Sequence, residues 1–273
     1  MSDDNILGIK GKKALVVGGG SGIGRSTSLL LARAGVDVVV GDFSAENAQK
    51  VAAEVESLGV KAGTVGGDVT IEDEAIDAVN QAAAFHGDKL DILINIVGFA
   101  AWKTLFEIDE AVWQLDISRN LTQHLYVSRA AAHHMIDHKT DGRIALVASV
   151  SGIYGAANHA AYGAAKAGLM GLVRTMSQEW GPLGIRVNSV APDCIATPRV
   201  AATYEAEGVD LVEQAKRGGM PLGRFGTPDE IAGPLVYLVS ELSSFVTGQC
   251  IIADGGTHAA FPHVDATTFQ PSS

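Results

Sequence analysis

The chain has 273 residues, 47% of them apolar, enough for one sizeable core, since α/β folds run past ~200 residues as a single domain. Its 31 acidic against 20 basic residues give a net charge of −11 with no basic run, which argues against nucleic-acid or anionic-membrane partners and for a small-molecule substrate. Cys194 and Cys250 share no metal-ligand or redox spacing, no run of about 18 apolar residues occurs, and the acidic start Met1-Ser2-Asp3-Asp4 lacks a leader pattern, so a soluble chain in the reducing cytoplasm is expected.

In chain order, short β-branched apolar runs alternate with longer helical patterns, the mark of βαβ units on a parallel sheet. A strand at 14–17 leads to a helix at 23–34, a strand at 36–41 to a helix at 45–58, and a strand at 61–65 to a helix at 71–85. A fourth strand at 90–94 precedes a long helix at 110–136, a fifth at 143–148 precedes a helix at 160–180, and a sixth covers 186–191. The stretch 196–219 is less regular and reads as a mobile substrate lid. Thr227-Pro228-Asp229-Glu230 offers an N-cap, a proline at the first helical position and early acids, opening a helix over 228–240 before a seventh strand at 250–253. The tail 262–273 is expected to be loosely held. The expected architecture is a single doubly wound domain over 1–273, a parallel seven-stranded sheet with helices on both faces.

The segment Val17-Gly18-Gly19-Gly20-Ser21-Gly22-Ile23-Gly24 follows the first strand and opens the first helix, the context a dinucleotide loop requires. Gly18, Gly22 and Gly24 let the backbone turn tightly and approach a pyrophosphate, whose charge meets amides and the positive end of the helix. Any tight β-to-α turn can use such glycines, so the neighbours decide. Asp42, at the end of the second strand, can accept hydrogen bonds from both adenosine ribose hydroxyls and would repel a 2′-phosphate, favouring NAD over NADP, although it could also serve only as a turn residue. Asp68 after the third strand would lie beside the adenine, and Asn95 and Gly98 after the fourth near the ribose. Tyr162 and Lys166 stand at i and i+4 of a helix, on one face, where an ammonium can favour the ionised phenol. A free tyrosine, with a pKa near ~10, is otherwise a poor base at neutral pH.

With Ser149 thirteen residues before Tyr162, these motifs resemble the short-chain dehydrogenase/reductase family in its ordinary form of about 250 residues, over roughly 9–257 of this chain. Glycine loop, Asp68-Val69, Asn95-Ile96-Val97-Gly98, Asn120-Leu121-Thr122, Ser149, Tyr162 with Lys166, and Pro192 through Thr197 recur in the family's order. The resemblance implies a Rossmann fold and a nicotinamide cofactor, with Ser21, Ile23 and Val69 alongside the loop and strand-end residues as cofactor contacts. It also implies that Ser149 hydrogen-bonds the substrate oxygen, Tyr162 exchanges the proton, Lys166 lowers the tyrosine pKa and holds the nicotinamide ribose, and Asn120 binds a water linking Lys166 to solvent. Ile195 and Thr197 would hold the carboxamide. A homotetramer is the family's usual assembly. Hydride transfer to a carbonyl needs matched proton transfer at oxygen and no metal.

Three departures from the family pattern stand out: Val17 for a hydroxyl residue, Ile96-Val97 within a segment that usually reads Asn-Asn-Ala-Gly, and Asp193 for the glycine after Pro192. The first removes a loop-to-loop hydroxyl, the second crowds the adenosine ribose, and the third places a carboxylate near the nicotinamide. Ser151 is a rival to Ser149. Phe99, Trp102 and Tyr154 wall an apolar substrate pocket or pack in the core, and Cys194 borders the same pocket as a small apolar group. His134 and His138, i and i+4, lack a third zinc ligand, and His159 either starts a helix or touches substrate. The function expected is an NAD-dependent interconversion of a secondary alcohol and its ketone, on an apolar or ring-bearing substrate such as a steroid, cyclic or aryl alcohol. A 3-oxoacyl thioester reductase and an idle NAD-binding sensor or scaffold are the alternatives.

Overall fold

In a computed structural model, which describes residues 5–259, seven parallel strands form one sheet: β1 (Lys13–Val17), β2 (Asp37–Gly41), β3 (Ala62–Val65), β4 (Ile92–Asn95), β5 (Gly142–Val147), β6 (Ile185–Pro192) and β7 (Cys250–Ala253). Their spatial order is β3-β2-β1-β4-β5-β6-β7. The chain winds outward from β1 and then returns to the other side with β4, so a crevice opens where the connections diverge, at the carboxyl ends of β1 and β4.

Successive side chains of a strand point to opposite faces, and here both faces are covered, which is why the strands read as near-continuous apolar runs. Val16, Val38, Val40 and Ile94 pack beneath α1 (Gly22–Arg33) and α2 (Ala45–Glu56), together with Ile231, Leu235 and Val239 of the C-terminal helical region. Leu15, Val17, Val39, Leu93 and Leu146 pack beneath α3 (Glu72–Phe85) and the later helices that carry Val127, Leu169 and Val173. Sequence periodicity located all seven strands to within two residues.

Two stretches differ from expectation. The long helix expected over 110–136 is broken: α4 (Glu110–Ile117) runs into a π-helical turn, Ser118–Thr122, before α5 (Gln123–Asp137) resumes. Asn120 is the cause, because its amide donates to the carbonyls of Asp116 at 2.9 Å and Phe99 at 2.7 Å, holding the turn open. After α6 (Ala160–Trp180), the stretch 196–219 is mostly helical, as α7 (Pro198–Ala206) and α8 (Leu211–Arg217). Each opens on a side-chain cap, Thr197 accepting from the Val200 amide at 3.3 Å and Asp210 from the Val212 and Glu213 amides at 2.9 Å. A small satellite core of Ala215, Met220 and Phe225 holds the pair together. α9 (Pro228–Leu238) begins with the expected cap, a capping box between Thr227 and Glu230. The expectation for 262–273 lies outside the described residues.

Candidate active site

Beside the crevice, a cavity of about 270 Å³ is lined by Gly18, Asp42, Asp68, Val69, Gly98 and Arg119, among others. Gly18 holds φ +79°, the left-handed region, and a methyl at Gly24 would overlap the Gly18 carbonyl, so the turn into α1 is one only glycines can make. Asp42 is fixed by the amides of Gly20 and Ser44, each 2.9 Å from a carboxylate oxygen, so it both ties the glycine loop and faces the cavity. Val97 lies beside Gly18, 3.2 Å from where a Cβ on that residue would stand, and lines the cavity with it. Phe43, exposed beside Asp42, and Arg119 also line the cavity, and of the two the sequence reading did not single out Arg119. These donors, the acidic partner for hydroxyls and the glycine cradle fit a dinucleotide.

Not every expected cofactor residue faces this space. Asn95 is fully buried and turned into the core, its amide donating to Gln123 at 2.8 Å and its oxygen accepting from the Val97 amide at 3.2 Å. It shapes the strand end and does not reach the ribose side. Ile23 packs against the core and Ser21 precedes α1 without capping it. Asp68 lines the cavity, with one oxygen held by Thr70 at 2.7 Å. The Ile195 side chain points into the core, while Thr197 caps α7 and touches Gly22.

The second cluster sits at the carboxyl ends of β4 and β5. Lys166 is almost completely buried and donates to the Val147 carbonyl at 2.8 Å, with Nζ 5.6 Å from the centre of the Tyr162 ring. A methyl on Gly98 would stand 2.9 Å from the Asn120 oxygen and 3.0 Å from Lys166 Nζ, so this glycine admits both groups to one point. Asn120 clamps Phe99 from both sides, accepting from its amide at 3.0 Å and donating to its carbonyl. Ser149 is buried beside Tyr162 and its hydroxyl accepts from the Ser151 amide at 3.1 Å, whereas the hydroxyl of the rival Ser151 is turned to His159 Nδ1, 3.4 Å away.

The electrostatics correct one expectation. Tyr162 is not made acidic by Lys166 in this arrangement: burial raises its pKa above the usual 10, and the groups that oppose the rise are Ser149 and the Arg199 guanidinium. Lys166 itself is pushed down from 10.5 to about 7 by burial. Its amine is drawn past the phenol to a main-chain carbonyl of β5, where an ammonium is poorly solvated.

Around the phenol the wall is aromatic. His159 lies between Trp102, 4.2 Å between ring centres, and Tyr162, 5.2 Å, its ring tilted against both, so it belongs to the cleft. Phe99, Trp102 and Tyr154 are partly open to solvent, which places them on the cleft wall and not in the core. Cys194 lines the same cleft, its thiol pushed up to about 12 by close packing and by the neighbouring Asp193, so it is an inert small group. Asp193 accepts from the Cys194 amide at 2.8 Å and, with burial, helps push the Tyr154 phenol up to about 12. Arg199, in the first turn of α7, lies over Phe99 with its guanidinium carbon 4.9 Å from the ring centre. Sequence reading missed it, although Thr197-Pro198 carries the same helix-start signal as Thr227-Pro228. His134 and His138 stack on the far surface, His134 paired with Asn80 at 2.8 Å, and no three His, Cys, Asp or Glu side chains converge as a metal site among the described residues.

A family model described as enoyl-(acyl carrier protein) reductase matches residues 17–258. The chain belongs to the short-chain dehydrogenase/reductase family. Among its relatives, this dehydrogenase/reductase is 36% identical to a 3-oxoacyl-[acyl-carrier-protein] reductase of Thermotoga maritima, over 91% of this chain and 98% of that enzyme. It is 39% identical to a cis-4-hydroxycyclohexanecarboxylate dehydrogenase of Sinomonas cyclohexanicum, over 89% of this chain and 95% of that enzyme. A putative short-chain alcohol dehydrogenase from Sinorhizobium meliloti 1021 superposes with a TM-score of 0.86 at 34% identity, covering 92% of this chain and 98% of that one. The chain is therefore an oxidoreductase of this family, whose fold is a parallel seven-stranded sheet covered on both sides, and among the described residues no helix is long and apolar enough to cross a membrane.

Proposed function

We propose that this chain is an NAD(H)-dependent dehydrogenase/reductase that interconverts a secondary alcohol and its ketone, on a small ring-bearing substrate, in the cytoplasm. The observation that carries the reading is the convergence of Ser149, Tyr162 and Lys166 on one aromatic-walled cleft, beside the crevice that opens at the first glycine turn. Bound there, the nicotinamide supplies or accepts the hydride. Ser149 holds the substrate oxygen, Tyr162 gives or takes its proton, and Lys166, linked through Asn120, passes that proton onward. The segment 196–219 covers the substrate. A ring fits the walls of Phe99, Trp102 and His159, and a relative acts on a hydroxylated cyclohexane ring, whereas a long acyl thioester would need an extended channel. NAD is favoured over NADP because Asp42 faces the nucleoside cavity and would repel a 2′-phosphate. We extend the same reading to a homotetramer, which light scattering checks.

A panel of cyclic, aryl and steroid secondary alcohols and 3-hydroxyacyl thioesters, followed by NADH absorbance, tests the reading. Ring alcohols with NAD should give the highest kcat/KM. Preference for NADP would overturn the role given to Asp42, and preference for the thioesters would overturn the substrate class. Tyr162→Phe should still bind NADH, seen by fluorescence, yet lose at least about 100-fold in turnover, the range expected when a proton donor is removed. Substantial residual turnover would mean that another group moves the proton.

A further inference from the structure

Among the described residues, Arg199 has no partner for its charge. No carboxylate of the described residues lies within ion-pair distance of it, and its guanidinium makes no hydrogen bond to any of them, although the chain carries 31 acidic residues against 20 basic ones. Its position in the first turn of α7 gains nothing from the helix dipole, which favours anions there, so helix stability does not explain the cation. The guanidinium carbon stands 4.9 Å from the centre of the Phe99 ring, and Phe99 is the residue that Asn120 clamps beside Lys166. Arg199 thus stands exposed beside an aromatic ring of the cleft wall, near enough for its charge to act on Tyr162. A planar fork of N–H donors in that place matches a carboxylate, which it can bind bidentately.

We propose that the substrate is an anionic ring alcohol, a hydroxy acid whose carboxylate is bound by Arg199 while its carbinol meets Ser149 and Tyr162. The inference rests on the ring-alcohol reading above and adds the charge to it. The ring lies between, against Phe99 on one side and His159 and Trp102 on the other. Asp193, the carboxylate beside Tyr154 that accepts from the Cys194 amide, disfavours a substrate carboxylate at that end by repulsion, so the two charges together set which end of the substrate reaches the nicotinamide side. The Arg199 charge also reaches Tyr162, opposing the rise that burial imposes on the phenol. Binding the acid would therefore neutralise that help, and ester and acid substrates should differ in the pH dependence of turnover.

The test uses the full chain with NAD and two probe pairs, 3- and 4-hydroxycyclohexanecarboxylate and their methyl esters. Wild-type enzyme should favour the acid of at least one pair by about tenfold or more in kcat/KM. Arg199→Ala should lower the acid-to-ester ratio by 10- to 100-fold, mainly through KM, and Arg199→Lys should restore part of it, since a point charge keeps the attraction and loses the fork. Because bound acid already masks the help Arg199 gives Tyr162 and bound ester does not, the comparison is read in KM, where the attraction for the carboxylate acts, and not in kcat. Calorimetric titration of cyclohexanecarboxylate into the NADH complex decides the matter without turnover: binding to wild type and its loss in Arg199→Ala supports the proposal. An unchanged ratio, no carboxylate binding, or a loss of NADH affinity in Arg199→Ala equal to the loss on the acid would overturn it, the last by assigning the cation to a cofactor phosphate. If the esters turn over and the acids do not, the charge is wrong and the ring-alcohol reading stands; if no ring alcohol turns over while the carboxylate still binds, the reverse holds.

Discussion

Lys166 is a cation the fold buries against its own interest. A pKa lowered from 10.5 to about 7 corresponds, at about 1.4 kcal/mol per unit, to a cost on the order of 5 kcal/mol whenever the ammonium must be charged inside the protein. The sign is set by the unfolded chain, which binds this proton up to its ordinary pKa. Above about 10.5 the amine is neutral in both states and the cost vanishes; as pH falls toward 7 it grows, and below 7 it is complete. Lys166→Met should therefore be more stable than wild type, by a margin that widens from pH 10 to pH 7 and then levels off, measured as the difference in Tm across that range. A margin that is flat with pH would mean the lysine is solvated in the fold. Such a trade of stability for chemistry is common where a site needs a group with a shifted pKa. It also explains why spacing alone misled at this position. The i, i+4 rule places two side chains on one helical face, but the Val147 carbonyl, which belongs to another element, decides where the amine goes. The convergence of Ser149, Tyr162 and Lys166 was legible in their spacing; the direction of the phenol's shift was not, since it depends on burial.

At the level of elements, strands and most helices follow from periodicity and caps because each buries one face against the sheet, a pattern that survives in a single sequence. Three features do not. The π turn at Ser118–Thr122 has no periodic signature, since it arises from one side chain, Asn120, bonding across to the 99–101 segment. The helices α7 and α8 bury only a small satellite core, so their apolar pattern is thin, and only their caps announce them. Asn95 reads as a strand-end ligand, yet Gln123, opposite it on α5, claims its amide. A prediction belongs to the π turn. Asn120→Ala removes three hydrogen bonds, two to Phe99 and one to the Asp116 carbonyl, and leaves partly buried polar groups unpaired. At about 1 kcal/mol per bond the loss should be about 3 kcal/mol by urea unfolding. Release of Phe99 should also raise KM for the substrate more than the affinity for NADH falls. Equal effects on both would mean that the turn supports the cofactor cavity instead.

Across the whole molecule, stability and chemistry lie at opposite edges of one sheet. Ser149, Tyr162 and Lys166, the residues proposed for the chemistry, gather at the carboxyl ends of the strands, where the loops are free to carry function. At the amino ends, Arg143 of β5 and Arg186 of β6 are register partners and so stand side by side with like charge. What makes this tolerable is the end of α9. Arg143 donates to the Val239 carbonyl at 3.2 Å and pairs with Asp141 and Glu241, while Arg186 donates to the carbonyls of Leu238, Ser240 and Val246 at 3.0 to 3.1 Å. The negative end of a helix dipole and its unpaired carbonyls thereby receive two cations, and the last helix is fastened to the centre of the sheet. Breaking a buried ionic network from one side costs about 3–5 kcal/mol, less where the surviving partner can rehydrate, as the half-exposed Glu241 can. Arg143→Leu should therefore lose about 2–4 kcal/mol by urea unfolding. Well below its unfolding midpoint the variant should keep kcat/KM within about twofold of wild type, because nothing in the network reaches Ser149, Tyr162 or the glycine turn. Unfolding and turnover, followed on the same variant over one urea series, separate the two edges: activity that declines before the fold is lost would show that the α9 end transmits strain along β5 to Lys166, through the Val147 carbonyl at that strand's far end.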